Sequence, residues 1–97
     1  MAKYAINKKS INSFCRKHHI AFLALFGSIL TSQFHESSDV DILGKFEKNH
    51  IPDFFELIDI ESELSSIVGR KVDLKTPNDL SPYFRDEVLS KAKVLYG

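Results

Sequence analysis

One stretch constrains this chain more than any other: Leu25-Phe26-Gly27-Ser28, a spacer of ten residues, then Asp39-Val40-Asp41-Ile42-Leu43. The apolar run from Ile20 to Phe26 is short, partly aromatic and stopped by a glycine, so it reads as a buried strand. Gly27-Ser28 then offers a tight turn with exposed backbone N–H groups and one hydroxyl. Glycine lets a backbone approach a phosphate closely, and a helix beginning there points its positive end at an anion. The second piece alternates carboxylate and aliphatic residues. In a strand, residues i and i+2 share a face, so Asp39 and Asp41 project together, about 7 Å apart along the backbone, while Val40 and Ile42 face a core. Side-by-side carboxylates repel unless a cation lies between them. A hard divalent ion such as Mg²⁺ takes such oxygens together with phosphate oxygens.

The rest of the chain supplies elements to place around this stretch. From about Asn7 to His18 the pattern is helical, with Ile11, Phe14, Cys15 and His18 on one side and Lys8, Lys9, Arg16 and Lys17 on the other. That basic side reads either as a solvated face or as a contact for nucleotide phosphates or an acidic partner. The segment 29–34 is expected to be a short helix or turn, and 35–38 a polar turn. A second strand is expected over 38–46, ended by Gly44 and the charges after it. Pro52-Asp53 opens a helix, with proline at its first position. Phe54, Leu57, Ile58, Leu64 and Val68 form its apolar stripe, and Gly69 is its stop. Phe55, Ile60 and Ile67 widen the stripe beyond what one small core needs; helix packing accounts for most of that width, and a partner surface is the alternative for part of it. Residues 71–75 alternate as a third strand, Thr76-Pro77-Asn78-Asp79 makes a cap and turn, and a last helix starts near Ser81-Pro82 with Phe84, Val88, Leu89 and Ala92 inward. Val94-Leu95-Tyr96 finishes as a short strand or a frayed helix. Alternating strands and helices specify an α/β (α+β) domain, read as a single unit over 1–97.

Composition excludes several classes. The 13 basic and 13 acidic residues cancel, whereas a general nucleic-acid binder carries a basic excess, so direct DNA binding is not expected. Near-zero charge favours association, as a homodimer or hetero-oligomer. The single cysteine has no internal partner, which suits a reducing cytoplasm, and on an apolar helix face Cys15 is a core filler. The apolar stretch at 20–26 is too short to span a bilayer. His18 and His19 are adjacent rather than at ligand spacing, and His35 and His50 stand far off, so no zinc site is expected.

Gly-Ser, about ten residues, then Asp-x-Asp resembles the signature of the DNA polymerase β-like nucleotidyltransferases. The whole chain is similar to their smallest members, the minimal nucleotidyltransferases, commonly encoded beside a HEPN-domain partner as antitoxin and toxin. Three further stretches carry the resemblance: Leu57-Ile58-Asp59-Ile60-Glu61-Ser62-Glu63-Leu64, Gly69-Arg70-Lys71-Val72-Asp73-Leu74 and Leu80-Ser81-Pro82-Tyr83-Phe84. It extends over roughly 20–96 and implies a small mixed sheet backed by helices. Relatives usually carry an arginine directly after Gly-Ser and a glycine some residues later. This chain has Ile29 in that place and no glycine before Gly44, a departure bearing on triphosphate binding and nucleotide choice.

Asp73 lies between Val72 and Leu74, so its carboxylate leaves the core face as those of Asp39 and Asp41 do. If the third strand neighbours the second, three carboxylates gather on one surface, as in two-metal sites with ions about 4 Å apart. Taken alone, Asp73 among Arg70, Lys71 and Lys75 reads equally as a surface ion pair. The resemblance implies that Asp39 and Asp41 hold two Mg²⁺ ions, that Asp73 holds the second and helps take a proton from the attacking hydroxyl, and that Gly27 and Ser28 hold the β- and γ-phosphates of ATP or another NTP. It also implies the reaction: transfer of an NMP unit, AMP first among them, to a tyrosine of a HEPN toxin, which neutralises it. The alternatives are a domain that neutralises its partner by binding alone, and a nucleotidyltransferase subunit acting on a small molecule or RNA. Clustered acids without a cation should raise at least one carboxylate pKa.

Overall fold

The computed structural model describes residues 6–27 and 39–97. The expected turn or helix at 29–34, the polar turn at 35–38 and Ser28 lie outside the described residues. Helix α1 (Lys8–Lys17) begins at Asn7, whose side chain accepts from the Ser10 N–H at 3.1 Å, and buries Ile11, Phe14 and Cys15. Burial pushes the Cys15 thiol up to about 12, so it is an inert core group. Strand β1 (Ile20–Phe26) follows the apolar run without deviation, and β2 spans Val40–Phe46. Gly44 lies inside β2 rather than ending it. A side chain there would press on the Leu74 and Leu23 methyl groups at 3.3 and 3.5 Å, so close packing and not termination accounts for the glycine.

Helix α2 (Phe54–Val68) is capped by Asp53, whose Oδ1 accepts from the Glu56 N–H at 2.8 Å. Proline therefore stands before the cap rather than at the first helical position. Gly69 ends α2 in the left-handed region, φ 80°, as a C-terminal glycine does. Strand β3 (Val72–Lys75) leads to a three-ten turn at Pro77–Asp79 closed by a Thr76–Asp79 capping box. Helix α3 (Pro82–Lys91) starts at Ser81, and the chain continues as strand β4 (Lys93–Tyr96), which settles the expected strand-or-helix choice as a strand.

The sheet order is β3-β2-β1-β4. β1 runs antiparallel to β2 and β4, while β2 and β3 are parallel, giving the mixed sheet expected. α1 and α2 cover one face, where Leu23, Leu25, Val40, Ile42, Val72 and Leu74 meet Ile11, Phe14, Ile60, Leu64 and Val68. Ala24 and Leu43, paired across β1 and β2, are buried on the other face, and α3 lies against β1.

Two assignments of inward residues change. On α2 the core stripe is Ile60, Leu64 and Val68, flanked by half-buried Leu57 and Ile67, whereas Phe54, Phe55 and Ile58 are exposed. On α3, Phe84 is exposed and Val88, Leu89 and Ala92 are half-buried. The orientation of α2 follows from its polar flank: Ser65 Oγ accepts from the Val72 N–H at 3.0 Å and Glu61 Oε2 accepts from the Leu74 N–H at 2.8 Å. These are the outward-facing donors of the edge strand, and an edge without partners is a liability that such contacts remove.

Candidate active site

The alternation of β2 puts Val40 and Ile42 into the α1–α2 core, which sends Asp39 and Asp41 to the opposite face. Strand β3 does the same with Val72 and Leu74 around Asp73. In the parallel β2–β3 pair Asp41 is the register partner of Asp73, so the neighbouring-strand condition is met, at the usual strand spacing of about 4.8 Å. Asp39 stands exposed just ahead of β2, while Asp41 and Asp73 are half-buried.

On the other side of Asp41, its partner across β1 is Phe26, and the chain then turns at Gly27 with φ 78°. A side chain on Gly27 would run into the Asp41 carboxylate. Glycine is required here twice over, for the left-handed backbone and for the close approach. Gly27 therefore brings backbone directly beside the Asp41 carboxylate.

Burial raises the Asp41 pKa above the usual carboxylate range, Asp73 and Asp39 raise it further, and Lys75 opposes them. This is the upward shift expected of clustered acids. Lys75 Nζ lies 3.2 Å from Asp73 Oδ2 and 3.4 Å from Oδ1. The surface ion pair that sequence leaves open thus exists, as the local counter-charge of the acidic group. Three hard oxygen donors on one surface, mutually repelling and offset by one ammonium, fit a divalent cation of the Mg²⁺ class.

Sequence reasoning misses Glu61 and Ser65, which hold β3, and therefore Asp73, from the outer side. Their sequence signal is faint: two hydrogen-bonding residues four apart beside the buried Ile60-Leu64-Val68 stripe. It also misses that His19 and His50 come together, with Glu47, at the far end of the sheet. Cys15 takes no part in that group.

A family model described as polymerase beta, nucleotidyltransferase matches residues 9–97. The chain is 36% identical over 67 residues to the protein adenylyltransferase MntA of Thermococcus cleftensis, a match spanning 69% of this chain and 66% of that one. Its fold is similar to a crystal structure of a toxin–antitoxin with AMP-PNP, with TM-score 0.73 and 24% identity over 95% of this chain and 74% of the other. It is also similar to a chain in the structure of a tri-AMPylated Shewanella oneidensis HEPN toxin in complex with an MNT antitoxin, with TM-score 0.65 and 23% identity over 93% of this chain and 69% of that one.

Proposed function

The chain belongs to the polymerase β nucleotidyltransferase family, and from that premise we propose that it is an antitoxin that moves AMP from ATP to a tyrosine hydroxyl of a HEPN-domain toxin. The observation that carries this reading is the register of Asp41 with Asp73, with Gly27 packed against Asp41. It sets paired carboxylates beside a glycine whose backbone approaches one of them closely. The adenylyltransferase relative and the AMPylated HEPN toxin of the similar complex supply the nucleotide and the acceptor class.

In this reading the backbone N–H at Gly27 and the hydroxyl of Ser28 bind the β- and γ-phosphates. Asp39, Asp41 and Asp73 would hold two Mg²⁺ ions, which when bound would supply neutralisation of the charge that builds up on the transferred phosphate. Asp73 accepts the tyrosine proton as that oxygen forms a bond to the α-phosphorus. The bond from the α-phosphorus to the bridging oxygen breaks, and pyrophosphate leaves. Lys75 keeps a positive charge at Asp73, and Glu61 and Ser65 fix the strand that carries it.

A protein acceptor suits the surface. Phe54 and Phe55 on α2 are 71% and 76% exposed and Phe84 on α3 is 60% exposed, apolar area of the kind that a partner covers. No helix among the described residues is long and apolar enough to cross a membrane, and we assign the pair to the cytoplasm. The test is to incubate a HEPN-domain protein encoded beside this chain with the chain, Mg²⁺ and each of the four nucleoside triphosphates, labelled at the α-phosphate. Label should pass to the toxin from ATP. Transfer from another nucleotide would revise the nucleotide, and transfer from none would leave the binding-only antitoxin.

A further inference from the structure

At the end of the sheet away from the carboxylates, His19, Glu47 and His50 bring three ligand atoms within 4.8 Å of one another. The chain folds them together by backbone contacts. α1 ends at Lys17 with His18 as its cap, and His19 takes the left-handed conformation, φ 56°, where glycine is usual. β1 then begins opposite the end of β2, Ile20 against Phe46. The Glu47 N–H donates to the His19 carbonyl at 2.8 Å, and the His50 N–H donates to the Glu47 carbonyl at 2.9 Å. The two imidazoles stack with centroids 3.6 Å apart and planes 10° from parallel. His19 lies roughly 100 Å from Glu47 and His50 in an extended chain, so local sequence does not bring them together; the antiparallel register of β1 and β2 makes the group.

We propose that His19, Glu47 and His50 form a second metal site, selective for Zn²⁺-class ions and separate from the Mg²⁺ class of the carboxylates. Imidazole nitrogen favours Zn²⁺ and its neighbours in the transition series, whereas Mg²⁺ prefers oxygen alone. Two nitrogens and one carboxylate oxygen make a three-ligand set with a coordination position left for water or for an outside ligand. Ligand nitrogens around tetrahedral zinc lie roughly 3.3 Å apart at zinc–nitrogen distances of about 2.0–2.1 Å, a closure that exposed side chains reach by rotation. The six residue-to-residue steps from Ile20 to Phe26 along β1 put this site about 20 Å from the Asp41 end of the sheet. A bound ion clips the end of α1 to the turn that leads into α2.

The test uses the untagged full chain, stripped with chelator and titrated calorimetrically with Zn²⁺ alone, with circular dichroism to verify folding. Wild type and Asp41→Asn should each bind one Zn²⁺ per chain. His50→Ala should abolish binding, and Glu47→Gln should weaken it. His19→Gly is the second variant: glycine accepts the left-handed backbone, so the fold persists while the ligand is lost, and binding should vanish. The proposal is overturned if wild type binds no Zn²⁺, if both histidine variants bind as wild type does, or if Asp41→Asn alone removes binding.

Discussion

Asp41 and Asp73 face one another in register across parallel strands, and the half-buried Asp41 has a raised pKa because of burial first and Asp73 next. The sign of the consequence follows from linkage. A carboxyl whose folded pKa lies above its unfolded value holds its proton longer in the folded state, so folding is favoured at low pH and loses that advantage as pH rises through the folded pKa. Asp41→Asn removes the charge that causes the loss. Without divalent ions it should raise Tm at neutral pH, by about 1–3 °C, since a half-exposed contact of this kind is worth under about 1 kcal/mol. The gain should shrink as pH falls below the carboxylate range, where wild type is neutral too. Mg²⁺ should raise the Tm of wild type more than that of the variant. Thermal melts across pH, with and without Mg²⁺, check all three.

Gly27 and Gly69 have nearly the same backbone, φ 78° and 80°, in different surroundings. Nothing lies within 4 Å of a side chain placed on Gly69, whereas one on Gly27 meets Asp41. Alanine at either position costs about 1–2 kcal/mol of backbone strain. Gly69→Ala should stop there and keep transferase activity. Gly27→Ala should lose additional stability and nearly all activity, because the Asp41 carboxylate must move. Denaturant midpoints and transfer rates of the two variants separate strain from contact.

Glu61 and Ser65 hold the outer edge of the strand that carries Asp73. Glu61→Ala leaves the Leu74 N–H without its acceptor, a loss of about 1–3 kcal/mol, and transfer should fall because Asp73 is no longer fixed. Glu61→Gln keeps a carbonyl oxygen at that position and should restore most of both. Hydrogen exchange at Leu74 reports the effect directly, fast in the alanine variant and protected in the glutamine variant.

The contrast between these sites explains what sequence discloses. Val40 and Ile42 alternate with Asp39 and Asp41, and Val72 and Leu74 flank Asp73, so the outward direction of all three acids is legible from a period of two. That β3 lies beside β2 is not local information, and only the fold brings Asp41 and Asp73 into register. The face of α2 is misread because Phe54, Leu57, Ile58, Ile60, Leu64 and Val68 leave almost no polar side to its first turns. Periodicity cannot choose there between Phe54 and Ile60, and the choice is made by Glu61 and Ser65 bonding to β3. His19 and His50 are likewise invisible as a pair, since the β1–β2 register alone unites them.

The resemblance of the Gly27-Ser28 stretch to the family signature implies an arginine where this chain has Ile29. Restoring it as Ile29→Arg adds a charge able to bond phosphate oxygens. The KM for ATP should fall about tenfold, the equivalent of one charge-assisted hydrogen bond of about 1.4 kcal/mol, with a smaller change in kcat. Steady-state kinetics with ATP and with the other triphosphates checks the affinity and the nucleotide preference together.

Intact-mass spectrometry of the purified complex shows whether the Asp39–Asp41–Asp73 face transfers a nucleotide to a partner toxin. The complex is incubated with ATP and Mg²⁺, once with the wild-type chain and once with Asp41→Asn, and complex formation is verified for both. The toxin should gain the mass of one or more AMP units with wild type and none with Asp41→Asn, while both chains bind it. Equal modification with Asp41→Asn, or an unmodified toxin that wild type and variant neutralise equally well, would contradict transfer by that face.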